Sequence, residues 1–418
     1  MRRAERAERA GRTGRDHRAV GTSRAVRTRR TPRSGRIPRS GRIRRTGPVA
    51  AALVLTAALA ASASCTARGG PAADGGTGTA DDRRRPFTLV ATGDVIPYPS
   101  IIRQAREDAD GDGYDFTRIL AGVKPVVSAA DVALCHMETP YGDEDGPFTG
   151  YPLFRSPPQL AKALRATGYD GCSTASNHSL DDGFAGVRRT LDALDAAGVR
   201  HAGTARSERE AARPARLRAG GAEIAHLSYT YGTNGIPLPA GRPWAVRLLA
   251  PERVIADARA ARRAGADVVV VSLHWGTEWQ QAPDARQREL ARRLTAARTG
   301  DRKDIDLLIG THNHVPQPYE KVNGTWVVYG LGDQMASFVP AAKRSGNEGS
   351  MARFTFTPGP GDDGWTVTGA EYLVGHSDTG PPFRVVRATE ENFPEVHARV
   401  REAVLSRGAA GDGLTEGR

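Results

Sequence analysis

Short apolar runs of strand length recur along the chain from about residue 86, and segments with helical periodicity separate them. Several runs are apolar at consecutive positions, so both faces of the strand are expected to be buried. Strands of this kind are typical of a largely parallel sheet covered by helices. We predict seven strands: FTLVATGD (87–94), DVALCHME (131–138), YDGCSTAS (169–176), EIAHLSY (223–229), DVVVVSLHWG (267–276), DLLIGTH (306–312) and TWVVYGL (325–331).

Four segments with helical periodicity lie between these runs, near residues 158–167, 184–197, 251–264 and 285–297. In sheets of this kind, functional sites lie at the carboxyl ends of the strands. Polar residues that carry chemistry are found at these ends: Asp94, Glu138, Asn177, His178, His274, His312 and His314. The topology therefore predicts that all of them meet at one edge of the fold.

The combination of these residues is more informative than any one of them. A single histidine that ends a strand is ordinarily a hydrogen-bonded residue of the core or rim. Together, carboxylates supply negative charge and neutral imidazoles supply nitrogen donors for divalent cations. A carboxylate between two ions can bridge them, and ions roughly 3.5–4 Å apart can hold a phosphoryl or carbonyl oxygen and generate hydroxide near neutral pH.

Positive charge is concentrated at the amino terminus. Seventeen arginines and three acidic residues give residues 1–46 a formal charge of +14, and since the whole chain carries +12, the remainder carries −2. A segment so basic and so poor in apolar residues is expected to be disordered. One interpretation is a nucleic-acid-binding tail, and another is that the true start codon lies downstream. Because the body is nearly neutral, we expect no nucleic-acid partner.

The stretch GPVAAALVLTAALAASASC (47–65) has the length of a secretory h-region and is short for a membrane span. Its last four residues, SASC, resemble a bacterial lipobox in which Cys65 is lipidated, although Ser stands where Leu is usual. Simple cleavage after Ala63 is the alternative. Both interpretations predict an extracytoplasmic body, attached through a flexible linker at residues 66–85 that is rich in Gly, Ala and charge.

Two further cysteines, Cys135 and Cys172, lie inside predicted buried strands. We interpret them as buried free thiols, since a bridge between them requires a geometry that the sequence does not supply. The segment DADGDGYDF (108–116) begins like a calcium-binding EF-hand loop, but its twelfth position is Ile119 and not the bidentate Glu that such a loop needs. We interpret this segment as a polar loop before a helix.

In order and spacing, the motifs ATGDVIP, ADVALCHMETP, GYDGCSTASNHSLDDG, VVSLHWGTEW, IGTHNHVPQ and VVYGLGD resemble the capsule-synthesis CapA family, also called poly-γ-glutamate biosynthesis proteins. This family belongs to the calcineurin-like metallophosphatase superfamily, and the resemblance covers about residues 86–374. It implies an α/β fold, a four-layer α/β/β/α sandwich of the metallophosphoesterase type. We place this domain at residues 86–378 and a helical C-terminal tail at 379–418.

The resemblance also implies roles for matching residues. It assigns six metal ligands: Asp94, Glu138, Asn177, His274, His312 and His314. Glu138 would bridge two ions, Asp94 and His314 would hold the first, and the other three would hold the second. His178 would be the acid that protonates a leaving group or stabilises the transition state. We expect His312 and His314 to alternate along an extended loop, so that they reach two ions, or one ion and its substrate.

The chain departs from the family pattern at several positions. Superfamily enzymes place a His two residues after the first Asp, where this chain has Ile96, so the first metal site is expected to be poorer. His136 and Asp333 stand where the family usually has Asn. We interpret His136 as a packed strand residue in preference to an additional ligand. Glu278 matches the family and either orients His274 or caps backbone amides of its own loop.

These observations favour a secreted or lipid-anchored, metal-dependent, hydrolase-like protein that acts in the synthesis, release or anchoring of an anionic surface polymer such as poly-γ-glutamate. The expected cofactor is two divalent ions, Mn, Zn or Fe. The expected partners are the polymer, the membrane through a lipid anchor, and membrane synthesis or export machinery. One alternative is a non-catalytic module that holds the polymer through a degenerate metal site; another is a general phosphoesterase, because fold does not determine function.

Overall fold

Most strands of the described chain join one of two sheets. The computed structural model describes residues 84–110, 112–361 and 364–418. Cys65 and the other sequence features before residue 84 lie outside this part of the chain. Among the described residues, no helix combines the length and apolar character needed to cross a bilayer.

The first sheet contains nine of the described strands: β1 (Phe87–Val95), β2 (Val132–Met137), β3 (Gly171–Ser173), β4 (Arg200–Ala202), β13 (Asp333–Met335), β14 (Glu348–Pro358), β15 (Trp365–Asp378), β16 (Arg384–Ala388) and β17 (Leu414–Glu416). Strands β1 to β4 run parallel in sequential order. On the other side of β1, strands β14, β15 and β16 continue the sheet in antiparallel pairs.

The second sheet contains six strands of the described chain: β5 (Ala215–Ala219), β6 (Ala222–Thr230), β7 (Val268–His274), β10 (Leu307–Thr311), β11 (Tyr319–Val322) and β12 (Thr325–Val328). Strands β6, β7, β10 and β12 are parallel, and β5 and β11 close the two edges in antiparallel pairs. A separate small ribbon joins β8 (Arg298–Thr299) to β9 (Arg302–Lys303).

The described helices are α1 (Pro99–Asp108), α2 (Thr117–Leu120), α3 (Lys124–Ser128), α4 (Leu160–Thr167), α5 (Gly183–Ala197), α6 (Glu208–Ala211), α7 (Pro251–Arg263), α8 (Ala285–Thr295) and α9 (Pro394–Leu405), with a 3₁₀ segment at Ala341–Asn347. The four helices predicted from periodicity are confirmed as α4, α5, α7 and α8. Local chemistry explains some ends: Asp284 and Gln287 form a capping box at the start of α8, and Gly198 ends α5 with a positive φ of 76°.

Three apolar cores bind these elements into four layers. Helices α1 to α5 pack on the outer face of the first sheet, a second core fills the space between the sheets, and α7 and α8 cover the outer face of the second sheet. Along β7, Val268 and Val270 face the inter-sheet core, whereas Val269 and Val271 face the outer helices. The predicted α/β/β/α sandwich is therefore confirmed, and its parallel strands are buried on both faces.

Periodicity located the central parallel strands and missed the short parallel strands β4, β13 and β17 and the strands that pair only in antiparallel fashion. All seven predicted strands are present, as β1, β2, β3, β6, β7, β10 and β12. The C-terminal segment 379–418, expected to be a helical tail, contains α9 and also β16 and β17, which both pair with β15. Helix α9 contributes Val396, Val400 and Val404 to the inter-sheet core. This segment is therefore an integral part of the first sheet and of that core.

The structure corrects the interpretation of the two buried cysteines. Cys135 on β2 and Cys172 on β3 are directly opposite in the parallel register, with Cα atoms 4.4 Å apart, and they form a disulfide. The sequence placed both residues in buried strands but could not show that the two strands are neighbours. The disulfide therefore joins β2 and β3 to each other, and the chain continues from these two strands to Glu138 and Asn177 in the candidate site.

Gly93 allows the end of β1 to approach the chain before β13 closely. A Cβ atom at Gly93 would lie 1.8 Å from the carbonyl oxygen of Gly332, which is a backbone atom and cannot rotate away. The same oxygen accepts a hydrogen bond from the amide of Asp94, at 3.1 Å. The position of Asp94 at the edge of the sheet therefore depends on the absence of a side chain at residue 93.

We expect Gly93→Ala to lower the free energy of unfolding by about 1–3 kcal/mol, because β1 and the chain near Gly332 must move apart. Chemical denaturation measures this loss. Gly232→Ala is the matched control, since a Cβ atom there meets nothing within 4 Å. Equal stability of the two variants would contradict the steric argument.

Candidate metal centre

The seven strand-end residues predicted to meet do lie together at the carboxyl edge of both sheets. Asp94 belongs to the end of β1, and its Oδ2 accepts a hydrogen bond from the amide of His312, at 2.9 Å. Nε2 of His274, at the end of β7, lies 2.9 Å from Oδ1 of Asn177 and 4.0 Å from Oε1 of Glu138. Residues from the first sheet thus contact residues from the second.

Two groups of potential metal ligands share Asp94. One group contains Asp94, His136, Glu138 and His274, and the other contains Asp94, His314 and Asp333; in each, the ligand atoms lie within 4.8 Å of one another. The ring centroids of His274 and His312 are 4.7 Å apart, which places His312 against the first group. The residues that the family resemblance implied as ligands are therefore contiguous.

The donor set fits a divalent cation, because many of its buried atoms have no partner. Buried polar atoms in proteins nearly always form a hydrogen bond. Among the described residues, six atoms of this cluster form none: Asp94 Oδ1, His136 Nε2, Glu138 Oε1 and Oε2, His312 Nδ1 and Asp333 Oδ2. Carboxylate oxygens and imidazole nitrogens are ligands for Zn, Mn and Fe. A bound cation would satisfy these atoms and offset the carboxylate charge.

Burial disfavours the charged forms of the side chains in the cluster, and a bound cation would offset this cost for the carboxylates. It raises the pKa of Asp94 and of Glu138 well above the ordinary carboxyl range, and repulsion from neighbouring carboxylates adds to the rise. It lowers the pKa of His136 and of His312 to about 3, so both rings are neutral and can act as nitrogen donors.

His314 behaves differently because it is paired with a carboxylate. Burial alone would lower the pKa of His314, but the charge of Asp333, whose Oδ1 lies 3.0 Å from Nδ1, raises it to about 10. Without a cation the ring is therefore an imidazolium that compensates the buried carboxylates. Asp333 is in the first sheet and His314 follows β10 of the second, so this pair also joins the two sheets.

The loop that carries His312 and His314 is tightly wound and not extended, contrary to expectation. His312 has a φ of 93° and His314 a φ of 57°, both in the left-handed region that residues other than glycine seldom adopt. The side chain of Asn313 between them donates a hydrogen bond to the carbonyl of Thr277, at 3.1 Å. Such backbone outliers cluster at functional sites, where the surroundings hold them in place.

Neither of the two contacts expected of Glu278, with His274 or with backbone amides of its own loop, is present among the described residues. The two ring nitrogens of His274 already have partners: Nδ1 lies 3.1 Å from the hydroxyl of Thr311 and Nε2 lies 2.9 Å from Asn177. Glu278 is exposed and lines the cavity above the cluster. Thr311, on the strand beside β7, therefore orients the ring, because the residues opposite each other in these two strands are His274 and Thr311.

His178 lies beside the cluster and forms a pair that the sequence reasoning missed. Its Nδ1 lies 2.6 Å from Oδ2 of Asp181, and its Nε2 lies 4.0 Å from Oε1 of Glu138. Asp181 is buried, and the same oxygen accepts a hydrogen bond from the amide of Phe154, at 2.8 Å. The spacing of three residues in HSLD was the available signal. It indicates such a contact only when the intervening chain turns, as it does here.

His136 and Asp333 also belong to the cluster, although His136 was interpreted as a packed strand residue. Nδ1 of His136 lies 2.7 Å from the hydroxyl of Ser173, which leaves Nε2 facing Asp94 Oδ1 at 3.7 Å. Ile96, at the position where the family resemblance led us to expect a poorer metal site, is buried. His136 and Asp333 thus add one nitrogen and one carboxylate to a site in which Ile96 supplies no ligand.

A cavity of about 230 Å³ opens above the cluster. Glu138, His178 and His314 line it from the cluster, and the other walls are largely aromatic: Tyr98, Tyr151, Phe154, Trp279 and Phe338. The ammonium of Lys343 lies over the ring of Trp279, at 4.6 Å from its centroid. A substrate would therefore reach the cluster through an aromatic opening that carries one lysine, Lys343, and one exposed carboxylate, Glu278.

The facing sheets, the outer helices and the buried donors define a four-layer α/β protein with a candidate metal centre at the carboxyl ends of its strands. Residues 88–337, more than half of the chain, match the family described as bacterial capsule synthesis protein PGA_cap. The chain belongs to this family. The resemblance to CapA proteins that the motifs indicated is thereby confirmed.

The chain is similar in sequence to parts of several known proteins. The chain is similar to the probable polyglutamine synthesis accessory protein Rv0574c of Mycobacterium tuberculosis, with 31% identity over 223 residues that cover 49% of this chain and 56% of the relative. It is also similar to the PGA biosynthesis protein CapA of Bacillus subtilis, with 30% identity over 176 residues, 42% of this chain and 44% of the relative. The chain thus spans about half the length of these relatives.

Two solved structures were also found to be similar. The 5'-nucleotidase precursor from Thermus thermophilus has a TM-score of 0.43 and 16% identity, with 78% of this chain and 59% of that chain covered. The NAD nucleotidase of Haemophilus influenzae has a TM-score of 0.41 and 11% identity, with 79% of this chain and 64% of that chain covered.

We expect the purified protein to bind one or two divalent ions, and elemental analysis after reconstitution with Mn or Zn measures the stoichiometry. The double variant His274→Ala and His312→Ala should lose most of the metal. Affinity should fall as the pH falls, because protons compete for Asp94 and Glu138, whose pKa values are raised. His376→Ala is the control, since this half-buried histidine contacts the backbone of Asn347 outside the cluster.

Stoichiometry near zero in the wild-type protein, unchanged in the double variant, would contradict the metal assignment.

Proposed function

We propose that this protein is an extracytoplasmic, metal-dependent hydrolase that acts on an anionic surface polymer such as poly-γ-glutamate, during its synthesis, release or anchoring. Membership of the capsule synthesis family supports the biological process. The observation that carries the catalytic part is the His178–Asp181 pair, which lies beside the donor cluster and lines the cavity above it. A site that only binds a metal has no need of a second, oriented imidazole.

In this proposal, some residues of the site hold a cation and others transfer a proton. Asp94, Glu138 and the neutral imidazoles would hold the ion or ions, which supply Lewis-acid polarisation of a phosphoryl or carbonyl oxygen when bound. Asp181 accepts the Nδ1–H of His178 and fixes the tautomer and the direction of the ring. Nε2 of His178 then faces the cavity and can deliver a proton to a leaving group.

The cavity can take a substrate that has both apolar surface and an anionic group. Lys343 is the one lysine among the residues that line it, beside the exposed carboxylate of Glu278, and its ammonium lies over the ring of Trp279 in a cation–π contact. Tyr98, Phe154 and Phe338 provide apolar walls that exclude water from the cluster. A carboxylate or phosphoryl group near Lys343 would lie in the same cavity as Glu138 and His178.

A second candidate function is a non-catalytic module that holds the polymer through its metal site. The observation that favours it is Ile96, which is buried at the position where superfamily enzymes supply a histidine ligand. The presence of His136 and Asp333 in the cluster weakens this argument, because both supply additional donors. A general phosphoesterase unrelated to capsule would use the same residues, and only its substrate would differ.

We expect His178→Ala to reduce turnover by roughly 10²–10⁴-fold, as is typical for loss of a general acid, while metal content stays unchanged. Turnover is measured on a phosphodiester or phosphomonoester probe and on poly-γ-glutamate, with metal content from elemental analysis. His397→Ala is a matched control: His397 is also buried and lies 2.7 Å from a carboxylate oxygen of Glu416, but it belongs to α9, away from the cluster.

Metal-loaded wild-type protein that turns over neither substrate class would contradict the hydrolase proposal and favour the polymer-holding module. A loss of activity in His178→Ala that only parallels a loss of thermal stability would reduce His178 to a structural role.

The localisation of the protein is also part of the proposal. We expect the mature chain to begin at Cys65 with attached lipid and to partition with membranes, because residues 47–65 resemble a signal sequence with a lipobox-like end. Intact-mass analysis distinguishes the outcomes, since diacylation adds a mass that cleavage alone does not. A soluble product that starts at Ser64 would contradict the lipid anchor and would leave export intact.

A further inference from the structure

A second large cavity lies at the edge of the sandwich, where the edge strands β4 and β5 come together. This cavity has a volume of about 620 Å³ and is lined by residues between Asp195 and Arg216, together with Arg247. It continues into a cavity of about 440 Å³ beneath α7, because Arg213, Pro214, Arg216 and Arg247 line both. We call the two together the edge groove. None of its lining residues belongs to the candidate metal centre.

Arginine dominates the lining of the edge groove. Six arginines line the two cavities, Arg200, Arg206, Arg209, Arg213, Arg216 and Arg247, against three carboxylates, Asp195, Glu210 and Asp257. Lysine is absent from both linings. Arginine is the side chain that binds carboxylate and phosphate with two parallel hydrogen bonds, and its charge persists at any physiological pH.

All three carboxylates of the edge groove form ion pairs with two of the arginines. Arg206 forms ion pairs with Asp195, at 2.6 Å, and with Glu210. Arg247, itself buried, pairs with Asp257 and also donates a hydrogen bond to the carbonyl of Ala211. These contacts hold the walls of the groove in place.

The remaining arginines provide the surplus of positive charge. Arg200, Arg209 and Arg213 are exposed and form no ion pair or side-chain hydrogen bond with any residue in the described part of the chain. Arg216 donates a hydrogen bond to the carbonyl of Ala264, at 2.6 Å, and lies 3.7 Å from Glu223. At least three guanidinium groups can therefore bind an anion without breaking an existing contact.

The side chains of this region do not fit a metal site. Asp195, His201 and Glu210 do bring ligand atoms within 4.8 Å of one another. The guanidinium of Arg206 lies among them, however, with Nη2 3.5 Å from Nε2 of His201 and paired with both carboxylates. A fixed positive charge in that position would repel a cation, so the region is suited to an anion.

The edge groove and the candidate metal centre flank the same loop. Thr204, in the wall of the groove, shares a hydrogen bond of 2.7 Å with the hydroxyl of Thr174. Thr174 begins the loop after β3 that carries Asn177 and His178. A Cβ atom at Gly203 would lie 2.6 Å from the backbone nitrogen of Ala175, so the two walls are in close contact. The wall of the edge groove is thus in direct contact with the loop that carries Asn177 and His178.

We propose that the edge groove binds a carboxylate-bearing polymer chain, holding one stretch of it while another stretch reaches the metal centre. A chain with a carboxylate on every residue can pair with several of the unpaired guanidinium groups that line one cavity, and several weak contacts along one chain combine into firm binding. The choice of a γ-linked glutamate polymer rests on the proposed function. The anion-binding character of the groove rests on its arginines alone.

The test measures binding of a fluorescent γ-linked glutamate oligomer to the full protein. The triple variant Arg200→Gln, Arg209→Gln and Arg213→Gln should bind at least about tenfold more weakly, since each exposed ion pair contributes a few-fold to affinity. Its metal content and its turnover of a small phosphoester should match those of the wild type. The matched control, Arg103→Gln, Arg188→Gln and Arg286→Gln, removes the same charge from exposed positions on α1, α5 and α8.

Equal affinities of the two triple variants would overturn the proposal, because binding would then follow net charge. Equally tight binding of a γ-linked glutamine oligomer, which has no carboxylates, or tighter groove-dependent binding of a single-stranded oligonucleotide, would also overturn it. The His178→Ala variant separates this inference from the hydrolase proposal: it should bind the oligomer as the wild type does. Groove-dependent binding by a protein without turnover would support the groove and contradict the hydrolase.

Discussion

The rest of the structure depends on the burial of three carboxylates in one small space. Asp94, Glu138 and Asp333 are almost inaccessible to solvent, and such charges are costly to remove from water unless partners compensate them. The imidazolium of His314 and the amide of His312 compensate part of this charge. Both oxygens of Glu138 and one oxygen each of Asp94 and Asp333 still lack a partner among the described residues. A bound cation would remove this deficit.

The two-sheet architecture makes this concentration of charge possible. Apolar strands buried on both faces provide a rigid support, and because their carboxyl ends face the same edge, each strand needs to supply only one or two polar residues. Close backbone contacts keep that edge compact. Gly93 lies against Gly332, and a Cβ atom at Gly310 would lie 1.9 Å from the carbonyl oxygen of Tyr329. Bulkier residues at these positions would separate the strands that bring Asp94 and His312 together.

The loop after β3 contacts the donor cluster, the cavity above it and the edge groove. It supplies Asn177 to the donor cluster and His178 to the cavity above it, and its first residue, Thr174, contacts the wall of the edge groove. Asp181, near its end, orients His178 and accepts the amide of Phe154. A single buried loop would therefore fix the relative positions of the residues proposed for metal ligation and proton transfer and of the wall of the edge groove.

By itself, the sequence determined seven central strands, their layered arrangement and the polar residues at their carboxyl ends. These follow from local patterns of burial and from one rule of topology, so Asp94, Glu138 and His274 could be assigned to one edge without coordinates. Only the tertiary structure decided which side chains are neighbours across strands. The disulfide of Cys135 and Cys172, the orientation of His274 by Thr311 instead of Glu278, the entry of His136 and Asp333 into the cluster and the pairing of Asp181 with His178 are of this kind. Each depends on strand order, on register or on the conformation of a loop. Contacts between residues distant in the sequence determine these features, so the local sequence does not encode them.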